Sequence, residues 1–374
     1  MSQLKKSALA VAIVASLPGF ALAADKVPTL GDVFKASGLN VTGYVDASYT
    51  YLSGRNTFTT GGGFNRVYDR ERNSFNLHTV DLAVAYQPAE GFGAFVQLDF
   101  GADADVTAST GTSATDQTDL QEAYVQYATK GGLTVLGGKF ATLAGAEVIE
   151  APANLNFSRS ILFGYAIPFT HTGLRASYAI NDAYKVILGL NNGWDVFKAS
   201  ATAPSDGKTL EAGVAMTPIK PLSVSVAGYY GDALVGTYGA PRYAADVVST
   251  YSVTDNLSVV LNADSGMQED ALAIGTNAKW SGVAAYVNWK FADQWRVAVR
   301  AEQFDDKDGY RTGVTGGQKW TEGTATLAYM PTANAELRLE GRYDTSDVAT
   351  AFTKTDGTTD DNQHSVAVQA LYKF

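Results

Sequence analysis

The residues predict an all-β protein: a transmembrane, antiparallel, up-and-down β-barrel of about 16 strands with one loop folded into its lumen. Three observations predict it. Apolar and polar side chains alternate with period two from residue 39 to the C-terminus, as they do in strands with two unlike faces. The connectors between these runs alternate between short turns and long polar loops. One connector, residues 139–172, departs from both patterns by being apolar, and a loop that apolar cannot lie in water without forming a sticky patch.

The chain begins with a targeting segment. Lys5 and Lys6 precede an apolar run over 8–20, and Ala21-Leu22-Ala23 supplies small residues at a cleavage position. That run is shorter than the ~20 residues a membrane-spanning helix needs. Residues 1–23 are therefore expected to be a signal peptide, 24–38 a periplasmic N-terminal segment, and 39–374 the barrel. Loss of the two lysines takes the formal charge from −10 to −12. Within 25–38 one short helix is expected, with Thr29 as N-cap and Gly38 as its stop.

Composition narrows the class. There is no cysteine, so neither disulfides nor thiolate metal sites are available, and no cofactor is expected. The acidic balance argues against nucleic acid as a partner, which would call for basic stripes.

The alternation starts with Val41, Gly43, Val45, Ala47, Tyr49 and Tyr51 on one face and Thr42, Asp46, Ser48 and Thr50 on the other. It continues through 80–86, 92–100, 121–127, 133–140, 172–180, 184–190, 209–216 and 222–230. The remaining runs are 243–253, 257–264, 279–289, 295–304, 322–329, 335–343 and 364–374, making sixteen. Every second connector is short and rich in Asn, Asp, Pro and Gly, as at 88–91, 181–183 and 254–256. The others are long, as at 53–72, 102–118 and 345–362. An even strand count with short turns at one rim describes an outer-membrane barrel, with both termini on the periplasmic side. A soluble β-sandwich or β-helix would not need that asymmetry.

Tyr44, Tyr49, Tyr51, Tyr86, Tyr127, Tyr184, Trp289, Trp295, Tyr329, Tyr343 and Tyr372 fall at strand ends, where interfacial girdles belong. The last strand puts Val366, Val368, Ala370, Tyr372 and Phe374 on one apolar, lipid-side face.

In the apolar connector, Leu143, Val148, Ile149, Leu155, Phe157, Ile161, Leu162, Phe163, Tyr165, Ile167 and Phe169 make an apolar side that is expected to pack on the barrel wall. Glu147, Glu150 and Arg159 are expected to form a pore constriction within the loop 141–170. Parity puts twelve acids in the lumen: Asp46, Asp81, Asp99, Glu122, Glu211, Asp246, Asp264, Glu302, Glu322, Glu336, Glu340 and Asp344. Nine bases oppose them: Arg175, Lys185, Arg242, Lys290, Arg296, Arg300, Arg338, Arg342 and Lys373. Ionised groups inside a barrel imply water there, or pairing into a salt-bridged wall. The acid excess predicts a modest cation preference.

Other chemistry is thin. His78 and His364 fall by parity on the lipid-side face, and no serine two residues away shares a face with them in a hydrolase motif. With His171 they are too scattered for a metal site. The run 305–309 resembles part of a calcium loop but has Phe304 and Thr315 at the first and twelfth ligand positions. The glycines at 61–63 lack the lysine and helix of a phosphate cradle. Loop acids such as Asp103, Asp105, Glu269, Asp270, Asp360 and Asp361 read as solvated surface, bridged by divalent ions to the heads of outer-membrane lipid and lipopolysaccharide.

Several stretches resemble the OmpL-like family of bacterial outer-membrane β-barrel porins. They are LNVTGYVDASYTY at 39–51, LQEAYVQY at 120–127, GGKF at 137–140, NLNFSRSILFGYAIPFTHTGLRASY at 154–178 and the terminal ALYKF. The resemblance spans the mature chain. It implies an outer-membrane location, a passive pore for small hydrophilic solutes and ions, recognition of the strand ending in Phe374 by the barrel-assembly machinery, and no catalytic residue. Association of three barrels into a homotrimer is left open. The alternative is a plugged-barrel surface protein, an adhesin or structural outer-membrane protein without channel activity. A membrane enzyme is a third reading, weakened by the histidines.

Overall fold

The computed structural model describes residues 30–58, 65–107, 117–198, 207–232 and 240–374. The expected signal peptide and the glycines at 61–63 lie outside them. Residues up to Ser37 and Gly38–Phe374 form two separate compact units. The first contains a helix, Leu30–Ser37, in which Ser37 Oγ donates to Phe34 O at 2.8 Å. Gly38 follows it with φ 74°, a conformation that ends helices, as the sequence predicts.

The second unit is a closed antiparallel barrel of sixteen strands. The first eight are β1 (Asn40–Leu52), β2 (Ser74–Tyr86), β3 (Gly91–Phe100), β4 (Thr118–Ala128), β5 (Leu133–Ala141), β6 (Thr170–Asn181), β7 (Tyr184–Asn191) and β8 (Thr209–Ile219). The others are β9 (Leu222–Asp232), β10 (Pro241–Thr254), β11 (Leu257–Ala273), β12 (Thr276–Ala292), β13 (Trp295–Asp306), β14 (Gln318–Tyr329), β15 (Ala335–Ser346) and β16 (Asn362–Lys373). Each pairs with its sequence neighbours, and β1 closes on β16 with Tyr44 opposite Lys373 and Leu52 opposite Ser365. Closure leaves no unpaired edge, the condition for a sheet to cross hydrocarbon. A small sheet at the long-loop end joins Gly54–Phe58, Phe352–Lys354 and Thr359–Asp360.

Alternation puts apolar residues outward. Phe75, Leu77, Val125, Leu174, Leu188, Val283, Leu339 and Val368 are all exposed on the bare barrel, as a lipid-facing band is. Of the predicted lumen acids, all but the half-buried Glu122 are buried on the inward face.

Three features differ from the sequence expectation. Tyr44 shares the inward face with Asp46 and is 5 % exposed, so it is not a girdle residue; it packs on Ala151 and Leu371. His78 also points inward, and the cause is a β-bulge. Asp46 pairs with Thr79 and Ala47 with Leu77, leaving His78 as the extra residue. Finally, β11 and β12 run on past the expected ends at 264 and 279 to a tight turn between Ala273 and Thr276. Beyond the hydrocarbon a hairpin no longer needs an apolar face, so the alternation that marks its lower part fades.

Candidate functional site

The apolar connector folds back into the barrel. Backbone in such a segment has no ladder of its own, yet each of its N–H and C=O groups needs a partner once buried. The inward side chains of the wall supply these partners. At the start, Leu143 N donates to Tyr229 Oη at 2.8 Å, Gly145 N to Asp246 Oδ1 at 2.9 Å and Ala146 N to Asn262 Oδ1 at 3.2 Å. Further on, Glu340 accepts from Phe157 N and Ser158 N at 2.6 and 2.9 Å, and Glu302 from Ile161 N and Leu162 N at 2.7 and 3.1 Å. Arginines serve the carbonyls. Arg296 donates to Leu155 O at 2.8 Å, Arg338 to Asn154 O at 2.9 Å and Arg342 to Arg159 O at 2.7 Å.

The apolar side chains of the loop complete the docking. Ile161, Leu162, Phe163, Ala166 and Ile167 are buried together with Trp280, Tyr286, Phe304 and Trp320 of the wall. A Cβ on Gly282 would lie 2.7 Å from Leu162 Cδ1, so a glycine there lets the loop close on β12.

Each residue expected in the constriction now has a place. Glu147 is buried, with Oε1 2.7 Å from Arg300 Nη1, and its Oε2 accepts from Ser160 N at 2.6 Å. Arg159 is buried as well. It donates to Val148 O at 3.0 Å, Phe157 O at 3.1 Å and Ile149 O at 2.5 Å, and lies 5.0 Å from the Tyr68 ring centroid. Glu150 is half-buried on the other side of the lumen, accepting from Gln121 Nε2 at 2.5 Å and Gln97 Nε2 at 3.2 Å. It borders a cavity of about 380 Å³ that Tyr44, Asp81 and Lys373 also line. Between Glu147 and Glu150 the loop thus reaches from the β13 wall to the β3–β4 wall.

The named lumen charges divide by partner. Arg300 is fully buried between Glu147, Glu322 at 2.7 Å and Glu302 at 3.6 Å. Arg296 and Arg338 share Glu336 at 2.5 and 2.8 Å, and Arg342 pairs with Asp344 at 2.6 Å. Asp46 accepts two bonds from Gln369 at 2.8 Å. Arg175 binds Glu211 at 2.6 Å and sits 4.1 Å from the Phe140 ring centroid, while Glu122 accepts from Ala141 N at 2.8 Å.

The lower half of β6–β10 is different. Ala179, Lys185, Thr217 and Ser223 are exposed and border a cavity of about 710 Å³ together with Ser225 and Thr250. Asp264, on β11, is buried with neither carboxylate oxygen hydrogen-bonded among the described residues.

The bulge at His78 creates a cluster that parity reading missed. Ser48 Oγ lies 2.7 Å from His78 Nε2, and His78 Nδ1 lies 2.9 Å from Asp103 Oδ1. Nucleophile, base and orienting acid occur in that order in hydrolases. Here, however, Ser48 and His78 are both buried and His78 is pressed edge-on against Phe157, which leaves no room for a substrate carbonyl beside the serine. The bonds instead tie the helix Ala102–Thr107 to the wall. His171 is buried too, bonded to Gly193 O at 3.1 Å and stacked on Tyr229, and His364 is exposed on the outer face as expected.

A family model described as "Putative beta-barrel porin-2, OmpL-like" matches residues 38–374. No curated protein sequence matches significantly. Among solved structures, the outer membrane channel DcaP of Acinetobacter baumannii is similar with TM-score 0.58 at 14 % identity, covering 90 % of this chain and 97 % of that one. An anion-selective porin from Comamonas acidovorans gives 0.62 at 14 % identity, covering 90 % and 99 %. OprB of Pseudomonas putida gives 0.63 at 13 % identity, covering 91 % and 96 %.

Proposed function

As the chain belongs to the OmpL-like β-barrel porin family and forms an outer-membrane channel, we propose that small hydrophilic solutes and ions diffuse along one side of its lumen. The path runs between the folded-in loop and the wall of β3–β10, with Glu150 at its narrow point. The observation that carries this reading is the unequal filling of the barrel. Loop 142–169 buries the inward residues of β13–β16, whereas the periplasmic half of β6–β10 faces a cavity of about 710 Å³. Glu147 and Arg159 hold the loop in place, and Glu150 is the charge of the three that stands toward water.

Asp81, Asp99, Glu122 and Glu150 gather on this side with no ion pair to a cation among the described residues, which favours a modest cation preference. Fixed charge acts strongly in a narrow, poorly screened channel. No catalytic role is assigned to the Ser48–His78–Asp103 cluster.

Single-channel recording in a planar bilayer tests the reading. Stepwise openings are expected. The competing reading, a plugged surface or structural protein, draws on the contacts of the loop with both walls. A silent bilayer, with barrels shown to be folded by their heat-dependent gel mobility, would decide for it.

A further inference from the structure

At the long-loop end, two arginines lie side by side without an acidic partner among the described residues. Arg242, near the top of β10, gives Nε to Gln268 Oε1 at 2.9 Å and Nη2 to Tyr310 Oη at 3.2 Å. Arg311, in the loop 307–317, gives Nε to Tyr165 O. Both guanidiniums rest on the same two rings. Arg242 is 4.7 Å from the Trp194 centroid and 5.8 Å from that of Trp280, and Arg311 is 5.2 and 5.3 Å from them. A Cβ on Gly266 would come within 2.1 Å of the Trp280 ring, so the glycine of β11 lets that ring lie against the wall.

Of the acids nearby, Asp264 lies within electrostatic reach of Arg311 but makes no ion pair with it, and two others are held by backbone amides. Asp195 accepts from Phe169 N and Thr170 N at 2.6 and 3.1 Å, and Asp306 accepts from Thr312 N at 2.8 Å and Arg311 N at 3.0 Å. The indole Nε1 of Trp194 is buried with no hydrogen-bond partner among the described residues. Burial and the neighbouring Arg242 push the Arg311 guanidinium down to about 10, so it remains charged at neutral pH.

The cluster is therefore rich in donors and poor in acceptors, and its two like charges repel. An anion would relieve both conditions at once, and guanidinium forks match the geometry of planar and tetrahedral oxyanions. The aromatic faces hold the forks in place before any ligand arrives, which lowers the ordering cost of binding. Arg311 is half-buried as a residue, in the loop between β13 and β14.

We propose that Arg242, Arg311 and Trp194 Nε1 form a binding site for the oxyanion group of a small solute, a carboxylate or a phosphate, at the outer mouth of the channel. This deepens the channel reading by naming a solute class, and it rests on that reading for its role in transport. Arg242 stands at the outer end of β10, at the mouth of the path, whereas Asp81 and Asp99 stand on β2 and β3 across the ring. An anion held at the mouth is thus compatible with a cation preference set further along the path.

Tryptophan fluorescence of the barrel folded in detergent tests the site without any current measurement. Sodium succinate and inorganic phosphate are titrated separately against sodium chloride at matched ionic strength. A saturable change with either probe is expected, and the probe that acts more strongly identifies carboxylate or phosphate as the preferred head. Arg242→Gln and Arg311→Gln should each weaken it about tenfold or more, with Arg→Lys at either position intermediate and Trp194→Phe weaker than wild type. Heat-dependent gel mobility confirms that each variant is folded. No saturable change in the wild type, or an unchanged one in the folded double Arg→Gln variant, would overturn the site. A conducting protein that binds neither probe loses the site alone, whereas a non-conducting protein that binds loses the channel path alone.

Discussion

The walls β13–β16 and β5–β9 belong to one continuous sheet, yet they use their inward charges in opposite ways. On β13–β15, arginines and glutamates share the inward face and nearly every one is spent on the loop or on a neighbour. Glu302 and Glu340 each accept two loop amides, and Arg296, Arg338 and Arg342 each donate to a loop carbonyl. On β5–β9 the inward residues are fewer in charge, Lys185 is exposed, and the cavity of about 710 Å³ borders β6–β9. The contrast teaches that ionised residues in a barrel are not by themselves a selectivity device. A non-helical segment buried in a barrel needs acceptors and donors, and charged side chains are the strongest available.

The largest effect should come from Arg300→Ala. It removes the cation shared by Glu147, Glu302 and Glu322 in a fully buried site. Uncompensated buried charge costs about 3–5 kcal/mol. The urea midpoint of the folded barrel should fall accordingly, and a midpoint like that of the wild type would mean the loop is held by something else.

Next comes Glu340→Ala, which strips the acceptor from Phe157 N, Ser158 N and Thr326 Oγ1. Each orphaned group costs about 1–3 kcal/mol if water cannot reach it. Loosening of the loop should raise single-channel conductance. An unchanged conductance together with lost stability would show that the loop does not bound the path.

Glu147→Gln and Glu150→Gln sharpen the comparison, because the two residues are close in sequence but stand on different walls. Glu147→Gln should lower stability through Arg300 and Ser160 N. Glu150→Gln should leave stability nearly unchanged and move the zero-current potential across a salt gradient toward anions. Equal shifts in selectivity from both would refute the division of roles. Smallest of all, Lys185→Gln on the open wall should change stability by no more than about 0.5 kcal/mol, with a slight gain in cation preference. A large stability loss there would show that this wall is packed after all.

Much of the fold is legible because strand parity is a local property. Asp246, Glu302 and Arg338 each announce their face through their immediate neighbours, so the lumen set reads directly from the chain. The apolar connector is legible for a related reason: Ile161, Leu162 and Phe163 in a loop demand burial wherever the loop goes. Two bulges mark where parity fails. His78 and Gln121 are each the extra residue opposite a paired neighbour, and an insertion of one residue turns every later side chain through the sheet. Nothing in the residues around His78 signals it, because the partner that draws it inward, Asp103, lies on the next long loop.

The sequence by itself therefore determined the barrel, its strand number, its lipid-facing surface and the segment that fills it, since each follows from periodicity or from apolar content within a short window. Only the tertiary structure decided what the charges do. Arg300 meets Glu147 from 153 residues away, and Glu340 meets Phe157 N from 183 away. Pairing at that separation depends on where the loop comes to rest inside a closed ring. A glutamate is the same letter in the chain whether it anchors a loop, like Glu302, or borders a cavity, like Glu150.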